Sequence, residues 1–203
     1  MLLAVHPDNP EGRKIKKIVE TLQRGGVIIY PSDTVYALGC DIKNSKAIDK
    51  ICKLRGVDSK KASLSFVCRD IGQLGEYTAQ MDKSLFKLIK RNTPGPFTFI
   101  LHANNQLPRV FKNKKRTIGG RIPDNTITQM IIEELGHPIL SMSLKSDDEI
   151  TEYFTDPYDI EEDFGNRVDL VIDGGIGKST PSTVVDCTKE EIEIIREGEK
   201  KLK

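Results

Sequence analysis

The sequence predicts a single α/β domain built on a mixed β-sheet, and three observations carry that expectation. Helical and strand-like patterns alternate along the first part of the chain. Strands then dominate toward the end. No internal repeat, low-complexity tract or linker divides the 203 residues, which form one unit long enough to bury a proper core. The composition, 37% hydrophobic and 30% charged, is that of an ordinary globular protein.

Taken in order, Asn9-Pro10-Glu11 reads as a helix start, a capping Asn followed by Pro at the first helical position. Ile15, Ile18, Val19 and Leu22 then share one helical face, and Gly25-Gly26 stops the helix. Val27-Ile28-Ile29-Tyr30 has the look of a buried strand. It runs into Pro31-Ser32-Asp33-Thr34 and then into a second apolar stretch, so three hydrogen-bonding side chains stand between two segments that both seek burial. Either they close a turn or the fold presents them to a ligand. Ser45 reads as the cap of a second helix whose Ala47, Ile48, Ile51 and Cys52 face inward. "SLSFVC" (63–68) is strand-like, and a helix over 82–91 carries Leu85, Leu88 and Ile89. "NTPGPFTFIL" is a turn feeding a strand, "TIGGRIPD" a strand ending in a turn, and Asn125 caps the helix "TITQMIIEEL". "PILSMSL" is a buried strand, and "DLVIDGG", "STVVDCT" and "IEIIRE" are three more. The acidic segment 146–163, followed by the Gly-rich 174–177, reads as the mobile stretch.

Charge is unevenly spread. Residues 82–121 hold ten Lys and Arg against Asp82 alone, and residues 147–163 hold nine Asp and Glu with no base. Two readings stand. These are solvated faces that attract each other, or the basic strip is a surface for phosphate, whether nucleotide or RNA.

Several function classes fall away. No apolar run nears the roughly 20 residues that cross a bilayer. The N-terminus has neither a basic n-region nor a long h-region, so the expectation is a cytoplasmic protein with no membrane partner. Cys40, Cys52, Cys68 and Cys187 show no CxxC pairing and read as buried thiols. His6, His102 and His137 lie far apart, and no metal site is expected. "DGGIGKST" suggests a phosphate-binding P-loop but fails, because the required glycine five residues before Gly177 is Ile172. There is no GxGxxG unit, GxSxG elbow or HExxH.

What remains is polar residues at the ends of strands and helices: Ser32, Asp33 and Thr34; Lys53 and Arg55 before Gly56; Arg121; Ser143 and Lys145; Ser182-Thr183; Arg196. Singly each has a structural explanation; Lys53 and Arg55, for instance, suit a helix C-terminus by its dipole. As a set they supply cations and hydroxyls but few acids or histidines. That inventory suits an anion site in which charge is neutralised and oriented and little proton transfer is asked of side chains.

"GGVIIYPSDTVYALGCDI" (25–42) resembles the signature of the YrdC/YciO family, in which a Gly-Gly strand leads to Pro-Thr-Asp/Glu-Thr and Tyr-Gly-Leu-Gly. "KLR" (53–55) is similar to its Lys-x-Arg motif, "TPGPFTFIL" to its Pro-Gly-Pro strand and "GGRIPDN" to its Arg-x-Pro stretch. "PSTVVD" and "IIREG" resemble its closing strands, and "HPDNP" and "NTPG" look like the YciO branch. The matches run in order from about residue 6 to 198.

The resemblance implies one YrdC-like domain over residues 1–203, a twisted mixed sheet flanked by helices with a basic concave cavity. It also implies a threonylcarbamoyl-AMP synthase activity that joins L-threonine, bicarbonate and ATP, with Mg²⁺, and releases pyrophosphate, for tRNA modification. The alternative it implies is a non-catalytic protein that binds tRNA or double-stranded RNA. By resemblance, Ser32, Asp33, Thr34, Tyr36 and Arg121 border the amino-acid site, and Lys53 and Arg55 are the catalytic cations, facing carboxylate or phosphate. Ser143, Lys145, Ser182, Thr183 and Arg196 line the nucleotide pocket. For RNA the candidates are Lys112, Lys114, Lys115 and Arg116 in "KNKKR". Two departures stand out. The family's Ser-x-Asn is Ser143-Leu144-Lys145, and "SLSFVC" carries Val and Cys where many synthases have a His.

Overall fold

The computed structural model describes residues 1–57, 64–107, 116–144 and 153–203. Lys112, Lys114, Lys115 and Lys145 lie outside them. One mixed sheet of ten strands runs through the described residues: β1 (Leu2–Ala4), β2 (Ile28–Tyr30), β3 (Ala37–Asp41), β4 (Ser65–Val67), β5 (Phe97–His102), β6 (Thr117–Arg121), β7 (Ile139–Ser143), β8 (Leu170–Asp173), β9 (Thr183–Asp186) and β10 (Glu193–Arg196). Their order is β1-β8-β2-β3-β7-β4-β6-β5-β9-β10. The pairs β1/β8, β2/β8, β4/β6 and β5/β9 are parallel and the others antiparallel, so the sheet is mixed as expected.

Two helical layers cover it. On one face α2 (Ser45–Leu54), α3 (Ile71–Gly75), α4 (Lys83–Asn92) and α6 (Pro157–Phe164) bury Ile51, Leu74, Ile89 and Phe164 against Leu38, Phe66 and Phe99. On the other, α1 (Gly12–Gln23) and α5 (Thr126–Leu135) bury Ile18, Leu22, Ile131 and Ile132 against Ile28, Ile139 and Leu170. The alternation of the strands produces this division, since successive side chains point to opposite faces.

Local chemistry moved several boundaries. The first helix starts at Gly12 with Glu11 as an N-cap whose side chain makes no capping bond, two residues later than the Asn-Pro signal predicts. The reason lies upstream: the His6 ring nitrogen Nδ1 accepts from the N–H groups of Asp8 and Asn9 at 3.2 and 3.1 Å, which spends this stretch in a turn. In α2 the cap is Asn44, whose Oδ1 accepts from Ala47 N–H at 3.0 Å, and Ser45 is already helical. The acidic stretch is not wholly irregular. Asp156 caps α6 by accepting from Tyr158 N–H at 2.8 Å, and Pro157, Ile160 and Phe164 form its buried seam. Nine acids concealed a three-residue apolar pattern. The second apolar stretch after Thr34 is β3, buried throughout.

Cys40, Cys52 and Cys68 are buried and Cys187 is half-buried. Burial pushes the thiols of Cys40 and Cys68 far above the ordinary range and that of Cys187 to about 11. No described helix is long and apolar enough to cross a membrane.

Candidate functional site

Side-chain alternation sets the floor of the site. In β5, Phe97, Phe99 and Leu101 belong to the first core face, so Thr98 points to the other. By the same count Ser141 and Ser143 of β7, and Gly119 and Arg121 of β6, share that second face with Thr98. There the apolar cover of α1 and α5 stops. The second core cluster contains residues of β8, β2 and β3 together with Val67 and Ile139, and none of β6, β5 or β9. Beyond it the sheet presents hydroxyls, glycine and arginine. Tyr30 lies across the boundary, donating its hydroxyl to Ser141 Oγ at 2.7 Å. Gly39 makes room for it, since a Cβ there would sit 2.7 Å from the tyrosine ring.

The loop between β2 and β3 does both things the sequence left open. Ser32 Oγ closes the turn, donating to Val35 O at 2.7 Å and accepting from Thr34 N–H at 3.1 Å. Asp33 and Thr34 reach across to β6. Arg121 Nη2 donates to Asp33 Oδ1 at 2.8 Å and to Thr34 Oγ1 at 3.1 Å. Asp33 Oδ2 also accepts from Asp124 N–H at 3.2 Å. The Arg121 and Asp33 side chains are 8% and 7% exposed, so this is a buried ion pair. Arg121 Nε is buried with no hydrogen-bond partner among the described residues. A buried guanidinium with one donor unmet is an unusual arrangement in a native protein.

Tyr36 holds a second loop. Its hydroxyl donates to Gly175 O at 2.7 Å and accepts from Gly174 N–H at 3.3 Å, while Lys178 N–H donates to Thr34 O at 3.2 Å. Burial pushes the phenol up to about 12, which keeps it a hydroxyl donor at neutral pH. The two loops enclose a cavity of about 250 Å³ with Ser32 and Asp33 on one side and residues 174–178 on another. Asp124 and Asn125, at the start of α5, also line it, with Pro31, Pro96 and Lys200.

Of the residues the sequence nominated, Ser32 and Asp33 line this cavity, Thr34 and Arg121 form the buried cluster with Asp33, and Tyr36 braces the wall. Ser143 pairs with Ala37 at the end of β7, and Leu144 N–H donates to Tyr36 O at 3.0 Å. Ser182, Thr183 and Arg196 cluster around the start of β9. Ser182 Oγ meets Thr98 Oγ1 at 2.8 Å, and Arg196 Nη2 donates to Ser182 O at 2.8 Å. Lys53 is exposed in the last turn of α2 and Arg55 is its half-buried C-cap; neither lines the cavity. Arg116 is exposed, at φ 48°.

Sequence reasoning missed Thr98, Ser141, Asp124 and Lys200, and set Lys178 aside with the failed P-loop reading of "DGGIGKST". Asn125 was legible only as a helix cap, a role it keeps by accepting from Thr128 N–H at 3.0 Å. Lys200 carries no local signal at all.

Residues 20–198 match the family model Sua5_yciO_yrdC, described as telomere recombination. The chain is 42% identical over 196 residues to the uncharacterized protein YciO of Escherichia coli K12, covering 96% of this chain and 93% of that one. The crystal structure of E. coli YciO matches with a TM-score of 0.91 at 39% identity, over 98% of this chain and 95% of that one. Over 187 residues the chain is 27% identical to a threonylcarbamoyl-AMP synthase of Vibrio vulnificus YJ016, covering 91% of this chain and 98% of the enzyme. The crystal structure of P. abyssi Sua5 complexed with L-threonine matches with a TM-score of 0.88 at 26% identity, over 98% of this chain and 57% of that one.

Proposed function

Since the chain belongs to the Sua5, YciO and YrdC family, we propose that it is a cytoplasmic adenylate-forming enzyme of the threonylcarbamoyl-AMP synthase type. It would join L-threonine, bicarbonate and ATP and release pyrophosphate, supplying the adenylate for tRNA modification. The observation that carries this reading is the buried Arg121–Asp33–Thr34 cluster beside the cavity. Threonine offers a carboxylate and a hydroxyl, and the cluster holds a guanidinium and a hydroxyl to meet them. The identity to a named synthase over 91% of this chain supports the same reading.

Adenylation needs the carbamate oxygen and the α-phosphorus held in line while negative charge is neutralised, and no protein nucleophile is required. In this reading Lys53 and Arg55, which do not line the cavity, meet carboxylate or phosphate that extends beyond it, and Ser143, Lys145, Ser182 and Arg196 serve the nucleotide. Mg²⁺ would enter with the triphosphate, since such ions are held by substrate phosphates and one or two carboxylates. Asp33 is committed to Arg121, whereas the exposed Asp124 lines the cavity and fits that role.

Incubation with ATP, Mg²⁺, bicarbonate and threonine should yield the adenylate by mass spectrometry. Threonine at 100 times its Kd should also stabilise the fold by about 2.7 kcal/mol by mass action, read as a higher melting temperature. No adenylate and no melting shift at millimolar threonine would rule the synthase reading out.

One observation favours RNA as a partner. Lys83, Lys87, Lys90 and Arg91 stand on the exposed face of α4, opposite the inward Leu85, Leu88 and Ile89, and make no ion pair among the described residues. Duplex RNA bound along this strip should lose affinity linearly on a logarithmic salt scale, by about 0.7–0.9 per phosphate contact. Filter binding should show a shallower slope for Lys87→Glu/Lys90→Glu, and again for Lys114→Glu/Lys115→Glu. Unchanged slopes and affinities in both would remove RNA binding through this strip.

A further inference from the structure

Residues 198–203 run back from β10 as a strap along the start of β9 and the end of α4. The Gly198 N–H donates to Thr183 Oγ1 at 3.0 Å and the Glu199 N–H to Pro181 O at 2.9 Å. The Thr183 hydroxyl in turn donates to the Lys200 carbonyl. Farther on, the Asn92 side-chain amide accepts from Lys203 N–H at 3.0 Å and donates to Lys203 O at 3.2 Å, pairing with the strap as a strand would. Leu202 packs against the first core cluster between these two anchors. Thr183 and Asn92 are only 1% and 5% exposed, so two buried polar side chains are committed to this peripheral backbone. Gly198 fits because a Cβ there would lie 2.3 Å from the Pro181 carbonyl.

The strap delivers one side chain to the site. Lys200 lines the cavity together with Pro96 and Asp124. The other cavity lysine, Lys178, is already paired with Glu199 at 2.8 Å, whereas the Lys200 side chain makes no ion pair among the described residues. An exposed lysine with no ion pair among the described residues, on a backbone that buried anchors hold at a cavity wall, is placed to receive an anion. The distance between the sequence positions explains why no local motif announces it.

We propose that Lys200 is a phosphate-binding residue of this cavity, held there by the strap, and that it takes the pyrophosphate end of the nucleotide. This rests on the adenylate-forming reading above. In that step the carbamate oxygen forms the new bond to the α-phosphorus and the bond to the α–β bridging oxygen breaks. The bridging oxygen keeps the electron pair and departs in pyrophosphate, where the ammonium offsets the added negative charge.

Calorimetry with inorganic pyrophosphate tests the assignment directly. Lys200→Ala should weaken pyrophosphate binding about 10- to 100-fold, the usual range for a lost hydrogen bond to a charged group. Lys200→Arg should keep most of the affinity, and neither change should alter threonine binding. Lys201→Ala, at the neighbouring position outside the cavity lining, should bind as wild type does. Asn92→Ala should weaken pyrophosphate binding with Lys200 still present, the result a positioning strap requires. Wild-type affinity in Lys200→Ala would overturn the proposal and leave the adenylate-forming reading intact. A wild-type protein that binds neither pyrophosphate nor ATP would remove that reading, and the role of Lys200 with it.

Discussion

Arg121→Met should destabilise the protein by about 3–5 kcal/mol, because it strands a buried carboxylate. Asp33 is 7% exposed and loses its 2.8 Å partner, which leaves its charge with the Asp124 N–H and no cation. Asp33→Leu combined with Arg121→Met should recover much of that loss, since replacing both members of a buried ion pair by apolar groups is often nearly neutral. Threonine binding should not return with the stability. Urea unfolding of the single and double variants measures the first effect and calorimetry with threonine the second. A loss below 1 kcal/mol in Arg121→Met would mean that water reaches the pair. Full threonine affinity in the double variant would mean that the pair is architectural and the amino acid binds elsewhere.

Lys53→Ala should separate function from fold in the opposite sense. Lys53 is exposed and makes no ion pair among the described residues, so the only stability at stake is its interaction with the α2 dipole, about 0.3–1 kcal/mol. If it neutralises phosphate in the transition state, adenylate formation should fall about 100- to 1,000-fold, the range for removing one preorganised charge-stabilising donor. Single-turnover assays with saturating threonine and ATP would read the rate, and thermal unfolding the stability. An unchanged rate with a slightly lowered melting temperature would return Lys53 to the role of a helix-end charge.

The two variants differ because their environments differ, and that difference was not legible from residue type. Both positions are bases near the end of an element. Arg121 lies where β6 carries its side chain onto the half of the sheet that α1 and α5 do not cover, under a loop that arrives from β2. Lys53 ends a helix whose inward face is Ala47, Ile48, Ile51 and Cys52, so its side chain stays in solvent. A pattern of cations at element ends identifies candidates; burial decides what each one can do.

The elements themselves were mostly readable because they rest on short-range physics. The seams of α1, α2 and α5, the Asn125 cap and the apolar strands follow from period and capping, which a few neighbouring residues determine. Even the errors were local. His6 accepts from the Asp8 and Asn9 N–H groups and draws Asn9 into a turn, and nine acids masked the seam of α6. By itself the sequence determined the α/β class, the mixed sheet, the buried thiols and, through its ordered motifs, the family. Only the tertiary structure decided that Asp33 pairs with Arg121, 88 residues away, and that Tyr36 holds Gly175, 139 residues away. Lys200 likewise reaches the cavity through Asn92, which binds Lys203 from 111 residues away. Such contacts depend on strand order and on which half of one sheet face α1 and α5 cover, and a sequence pattern spanning a few residues carries neither.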